Sequence, residues 1–114
     1  MEDQNDSAPN TKIRYLYRDA ANYKSWGTIV VAGRVRFRDI EPYLFDGILF
    51  LPEYVRFPRL PVPGKEWDDE LDHVYHELSP DFFTPTSDPP TISIDSTKLI
   101  ECFRLGASRG WQYE

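Results

Sequence analysis

Cys102 is the only cysteine in this 114-residue chain. A lone cysteine forms no internal disulfide, so no covalent framework supports the fold, and the composition fits a reducing compartment. Long apolar runs are missing too, and nothing approaches the ~20 residues of a membrane-spanning helix. The first eleven residues are acidic and polar, without the basic start and apolar stretch of a secretory signal. These absences predict a cytoplasmic protein with no membrane partner. Glycine is sparse, at six scattered residues. No P-loop, G-x-G-x-x-G or G-x-S-x-G is present, which removes the commonest phosphate-binding and nucleophile signatures. No cofactor is implied.

What the chain does have is rings and prolines. Aromatics make up 15% and all hydrophobics 40% of the residues, enough for one modest core built on large side chains. A chain of this length makes one domain and buries roughly 65% of the surface its unfolded form exposes. The net charge of −6 is unevenly placed. Residues 1–60 hold nine Lys/Arg and eight Asp/Glu, whereas residues 61–114 hold four and eleven. Asp68, Asp69, Glu70 and Asp72 concentrate the excess. Such runs ordinarily form solvated loops, and they also suit a basic partner.

Periodicity predicts an α+β fold: a small, mostly antiparallel sheet of four to five strands with a C-terminal helix on one face. Residues 1–11 read as a disordered tail and 12–114 as a single domain. Lys12–Tyr17 alternates with a period of two, placing Ile13, Tyr15 and Tyr17 on one face. Arg18–Gly27 reads as a loop, and Thr28–Ala32 as a central strand covered on both faces. Arg34–Arg38 alternates again, with its arginines outward, as either a bent continuation of that strand or a separate edge strand. Asp39 caps a short helical turn over Ile40–Phe45. Ile48–Leu51, Leu71–Leu78 and Thr91–Ile94 are further strand candidates. Pro52–Glu70 and Ser79–Pro90 read as long proline-rich loops. The clearest element is a helix capped by Asp95, Ser96 or Thr97, with an apolar stripe of Leu99, Ile100, Phe103 and Ala107. Gly110 ends it and Trp111 folds back onto the core.

Three groups of residues could carry chemistry. His73 and His76 form an H-x-x-H pair that could serve a metal-assisted hydrolase, but residues three apart in a strand point to opposite faces. Cys102 with either histidine would make a dyad, against the commoner reading of a buried thiol. Third, Arg18, Tyr23, Lys24 and Trp26, extended by Arg34, Arg36 and Arg38, mix cations with rings. They could stack on bases or hold a peptide, or their stems could simply cover apolar surface.

Tyr17-Arg18-Asp19, followed by Asn22-Tyr23-Lys24 and Gly27, resembles the opening of small bacterial proteins with a Y-R-D-x-x-N-Y-K segment. Phe50-Leu51-Pro52-Glu53, His76-Glu77 and Trp111 fit the same resemblance, and Tyr75 departs from it where a tryptophan is expected. The resemblance implies no activity and assigns no catalytic residue.

The leading expectation is a non-enzymatic adaptor that binds another protein. Phe57, Leu60, Trp67, Phe82 and Phe83 on the proline-rich loops are candidate contacts. Nucleic-acid binding through Arg18, Lys24, Arg34, Arg36 and Arg38 must overcome the negative net charge.

Overall fold

The computed structural model describes residues 8–62 and 66–112. It is α+β, as expected. Strands β1 (Asn10–Arg18) and β2 (Lys24–Ala32) form a long antiparallel hairpin. On its other side β1 pairs with β4 (His76–Glu77) and, further along, with β5 (Phe83–Thr86). The short strand β3 (Leu49–Phe50) lies beyond β4, and the pairings between these strands are all antiparallel. Helix α1 (Phe37–Ile40) follows β2, and helix α2 (Ser96–Ser108) closes the fold.

The alternation of β1 is realised. Ile13, Tyr15 and Tyr17 are each 1% exposed. Ile13 and Tyr15 meet Ile29 and Val31 of β2, Phe50 of β3, and Leu99 and Phe103 of α2 in one core. Asp95 caps α2 by accepting a hydrogen bond from the Lys98 amide at 2.9 Å. At the other end the Gly110 N–H reaches the Ala107 carbonyl and the Trp111 N–H reaches the Gly106 carbonyl, both at 2.9 Å. With Gly110 at φ +67°, this is a Schellman closure. It swings the Trp111 ring over Gly106, which has no Cβ to block it. The buried indole then donates to the Tyr43 carbonyl at 2.7 Å.

Several expectations are corrected. β1 starts at Asn10, inside the expected tail, and Ala8 is buried; residues 1–7 lie outside the described residues. Arg18–Gly27 is a hairpin rather than a loop, because Asp19 organises the turn. Its carboxylate takes the Ala21 and Tyr23 amides at 2.9 Å each, and Asn22 supplies the left-handed residue at φ 71°. β2 is an edge strand, not a central one. Its C-terminal half is covered by Thr91, which bonds both backbone groups of Val30.

Arg34–Arg38 is no strand. Gly33, at φ +93°, turns the chain out of β2, and Asp39 takes the Arg36 amide at 2.8 Å to start α1. The turn expected over Ile40–Phe45 is therefore α1 followed by a 3-10 turn, Glu41–Tyr43. Of Leu71–Leu78 only His76–Glu77 is strand, and Thr91–Ile94 holds none. The second proline-rich loop hides β5, whose Pro85 is tolerated because β5 pairs on one side only.

Candidate functional site

The core-facing side of β1 ends at Thr11, and there the fold opens into a cleft of about 470 Å³. Thr11 builds one wall: its hydroxyl donates to the Gly33 carbonyl at 2.9 Å and accepts the Val35 amide at 3.1 Å. The Asn10 side chain accepts the Gly33 amide at 3.2 Å. These bonds hold the 33–35 segment against β1, and α1 continues from it. The opposite wall is β5 and the 3-10 turn before it, Pro80–Phe82. Val35, Phe37, Pro80, Phe83 and Pro85 give the cleft an apolar lining. The Phe37 and Phe83 rings meet edge to face with centroids 5.9 Å apart.

Arg34, Arg36 and Arg38 also line the cleft, against Glu41 as the only carboxylate among the described residues of its lining. Arg36 and Arg38 are exposed. The Arg34 guanidinium reaches the Ala8 carbonyl at 3.4 Å. The cleft therefore carries local positive charge on an acidic protein, beside apolar and aromatic surface.

The remaining candidates lie elsewhere. Arg18 is about seven strand steps from Thr11, or roughly 23 Å at ~3.3 Å per residue. It is committed to Glu77 at 3.0 Å and to the Asn22 side chain at 2.6 Å. Lys24 is its register partner in the hairpin. The five cations named for nucleic-acid binding thus form two separate groups, not one stripe.

Trp26 and Phe82 come together on the sheet face away from α2. Their centroids are 5.3 Å apart, with the Arg14 guanidinium 4.3 Å from the Trp26 ring centre. Leu16, the register partner of Trp26, is buried on that face, so the stack covers apolar surface. Tyr23 is 67% exposed at the hairpin tip and Trp67 is 48% exposed. Phe57 is a core residue, Leu60 is partly buried, and Phe83 belongs to β5.

Both histidines are tied into the fold. His73 Nδ1 accepts the Tyr75 amide at 3.1 Å and its Nε2 lies 2.8 Å from the Arg18 carbonyl. The neutral ring therefore carries its proton on Nε2, and both nitrogens are engaged. The His76 ring is buried among Tyr15, Tyr17 and Phe50. Its Nε2 accepts the Leu60 amide at 3.0 Å, which leaves the ring proton on Nδ1, where it has no partner among the described residues. Burial pushes this imidazole down to about 4. Burial also pushes the Tyr15 and Tyr17 phenols up to about 12, Tyr17 with help from its hydrogen bond to Asp72.

Each neutral imidazole has a single lone pair, and here both lone pairs accept backbone amides. Among the described residues no group of three or more His, Cys, Asp or Glu side chains is placed to hold a metal ion. Cys102 is a buried thiol on α2.

Sequence reasoning had named the three arginines but not Thr11, Phe37, Glu41, Pro80 or Pro85. Val35 and Phe37 between the arginines were the visible signal, while the facing wall depended on a strand hidden among prolines.

The Y-R-D-x-x-N-Y-K segment has a local structural account. Tyr17 donates to Asp72, Arg18 pairs with Glu77, Asp19 and Asn22 make the turn, and the Ala20 amide reaches the Leu71 carbonyl at 2.8 Å. Among the described residues no helix is long and apolar enough to cross a membrane. No family model, no curated protein and no solved structure matches the chain.

Proposed function

We propose that this protein is a small cytoplasmic binding domain that holds an acidic segment of a protein, one bearing an aromatic side chain, in the cleft between α1 and β5. The observation that carries the reading is the joint lining of that cleft by exposed Arg36 and Arg38 and by Phe37 and Phe83. Guanidinium groups form charge-assisted, often bidentate bonds with carboxylates. The apolar wall takes a ring, which adds burial to the charge pairing. A protein segment is favoured over nucleic acid because the chain carries −6 overall, and a polyanion would meet that field along its whole length.

The test is fluorescence anisotropy with a dye-labelled peptide holding several Glu and one Trp, against the same peptide with Lys for Glu. The acidic peptide binds wild type, and Arg36→Ala/Arg38→Ala weakens it roughly tenfold or more, the scale of 1.4 kcal/mol. Equal binding by both peptides, or by wild type and variant, contradicts the reading. Tighter binding of a single-stranded oligonucleotide than of the acidic peptide would assign the cleft to nucleic acid instead.

A further inference from the structure

We infer that the occupant of the arginine cleft is the acidic knob at residues 67–72 of a second copy of this chain, joined head to tail. The inference rests on the reading of the cleft as a site for an acidic segment.

The knob is a folded object rather than a loose charge run. The Leu71 and Asp72 amides both reach the Asp68 carbonyl, at 3.1 and 2.8 Å. Asp68 takes the Glu70 amide on its own carboxylate at 2.9 Å, and Asp72 takes the Asp68 amide at 2.8 Å. The Trp67 indole donates to Asp69 at 2.7 Å, yet the residue remains 48% exposed. Asp69 and Glu70 are exposed beside it. The knob therefore offers one ring and several carboxylates already fixed in place, which lowers the ordering cost of docking. The cleft offers the complementary set: Arg36 and Arg38 for the carboxylates, Phe37 and Phe83 for the ring.

Geometry decides that two copies are required. The cleft adjoins Thr11, near the start of β1. The knob sits past the end of β1, where the Ala20 amide bonds Leu71. The intervening strand is about 26 Å long at ~3.3 Å per residue, and the body is elongated, 52 × 29 × 23 Å. A chain cannot bring its own knob to its own cleft without dismantling β1. Knob and cleft are different surfaces, so the contact is heterologous and can extend beyond a pair.

The experiment is sedimentation velocity on the full chain at rising concentration, with one variant altered in the cleft and one in the knob. Arg36→Glu/Arg38→Glu spoils the cleft and leaves the knob; Asp69→Ala/Glu70→Ala neutralises the knob and leaves the cleft. All four positions are exposed, and circular dichroism checks that both variants fold. Wild type is expected to grow in mean sedimentation coefficient with concentration, and each variant alone to stay monomeric. An equimolar mixture of the two variants is expected to form a one-to-one pair that grows no further, since each partner keeps a single working surface. A wild type that stays monomeric to near-millimolar concentration, variants that associate on their own, or a mixture that does not pair would each overturn the inference. The anisotropy assay separates the two claims. If the acidic peptide still binds through Arg36 and Arg38 while wild type is monomeric, the cleft reading survives and only the self-partner falls.

Discussion

Lowering the pH from 7 to 5 should destabilise this protein through His76 in particular. The ring is 1% exposed and packed among aromatic rings, with its one lone pair committed to the Leu60 amide. Burial lowers its pKa from 6.5 to about 4. The unfolded chain therefore takes up the proton first, and folding must give it back. The stability contributed by keeping the ring neutral is fully present above 6.5 and is lost as pH falls towards 4. By linkage the loss between pH 7 and pH 5 is about 2 kcal/mol, approaching ~3.4 kcal/mol below both values. That is a large share of the ~5–15 kcal/mol typical of a domain.

Urea unfolding followed by tryptophan fluorescence at both pH values measures it. Carboxylates titrate over part of the same range, so the control is His76→Gln, whose amide oxygen can still accept the Leu60 N–H and carries no proton to lose. Wild type should lose about 2 kcal/mol more than the variant between the two pH values. Equal losses in the two proteins would refute the argument that a buried neutral imidazole drives the acid sensitivity.

Other perturbations follow from single contacts. Gly106→Ala raises helix propensity, yet its methyl would land within the Trp111 ring; net destabilisation of roughly 1–3 kcal/mol in urea melts is expected, with a changed near-UV signal. Asp19→Ala strips two amides, those of Ala21 and Tyr23, of the buried carboxylate that organises an otherwise exposed turn. It should cost about 1–3 kcal/mol and speed hydrogen exchange at the hairpin tip. Asp95→Ala removes the α2 cap and should cost about 1 kcal/mol by thermal or urea unfolding, with Asp95→Asn close to wild type.

The parts legible in sequence were those where one local signal decides the outcome. Helix α2 had a capping residue, an apolar stripe, and a glycine followed by a ring that needed somewhere to go. β1 had a strict alternation whose apolar set matched the core. Trouble came where tertiary bonds override a local pattern. Arg34–Arg38 alternates like a strand, but Thr11 reaches across from β1 to hold Val35, and Asp39 captures the Arg36 amide, so the chain coils instead. The turn residues Asp19 and Asn22 were visible, yet their closing of a tight hairpin depends on one carboxylate taking two amides.

β5 was masked by prolines, since a strand bonded on one side only can carry a residue without an N–H. The candidate site suffered most, because its two walls come from segments some fifty residues apart. One was misread as a strand and the other as a loop, so the arginines were foreseen but not the aromatic cleft between them.

The central claim is that an acidic, aromatic segment is held between α1 and β5. The most direct measurement is a titration of ¹⁵N-labelled protein with the acidic Trp-containing peptide, following backbone amide shifts. The account predicts saturable shifts concentrated at residues 33–38 and 83–86, reduced in Arg36→Ala/Arg38→Ala. Shifts centred on Arg14, Trp26 and Phe82 or on Tyr23 at the hairpin tip, or no shifts at all, would contradict it.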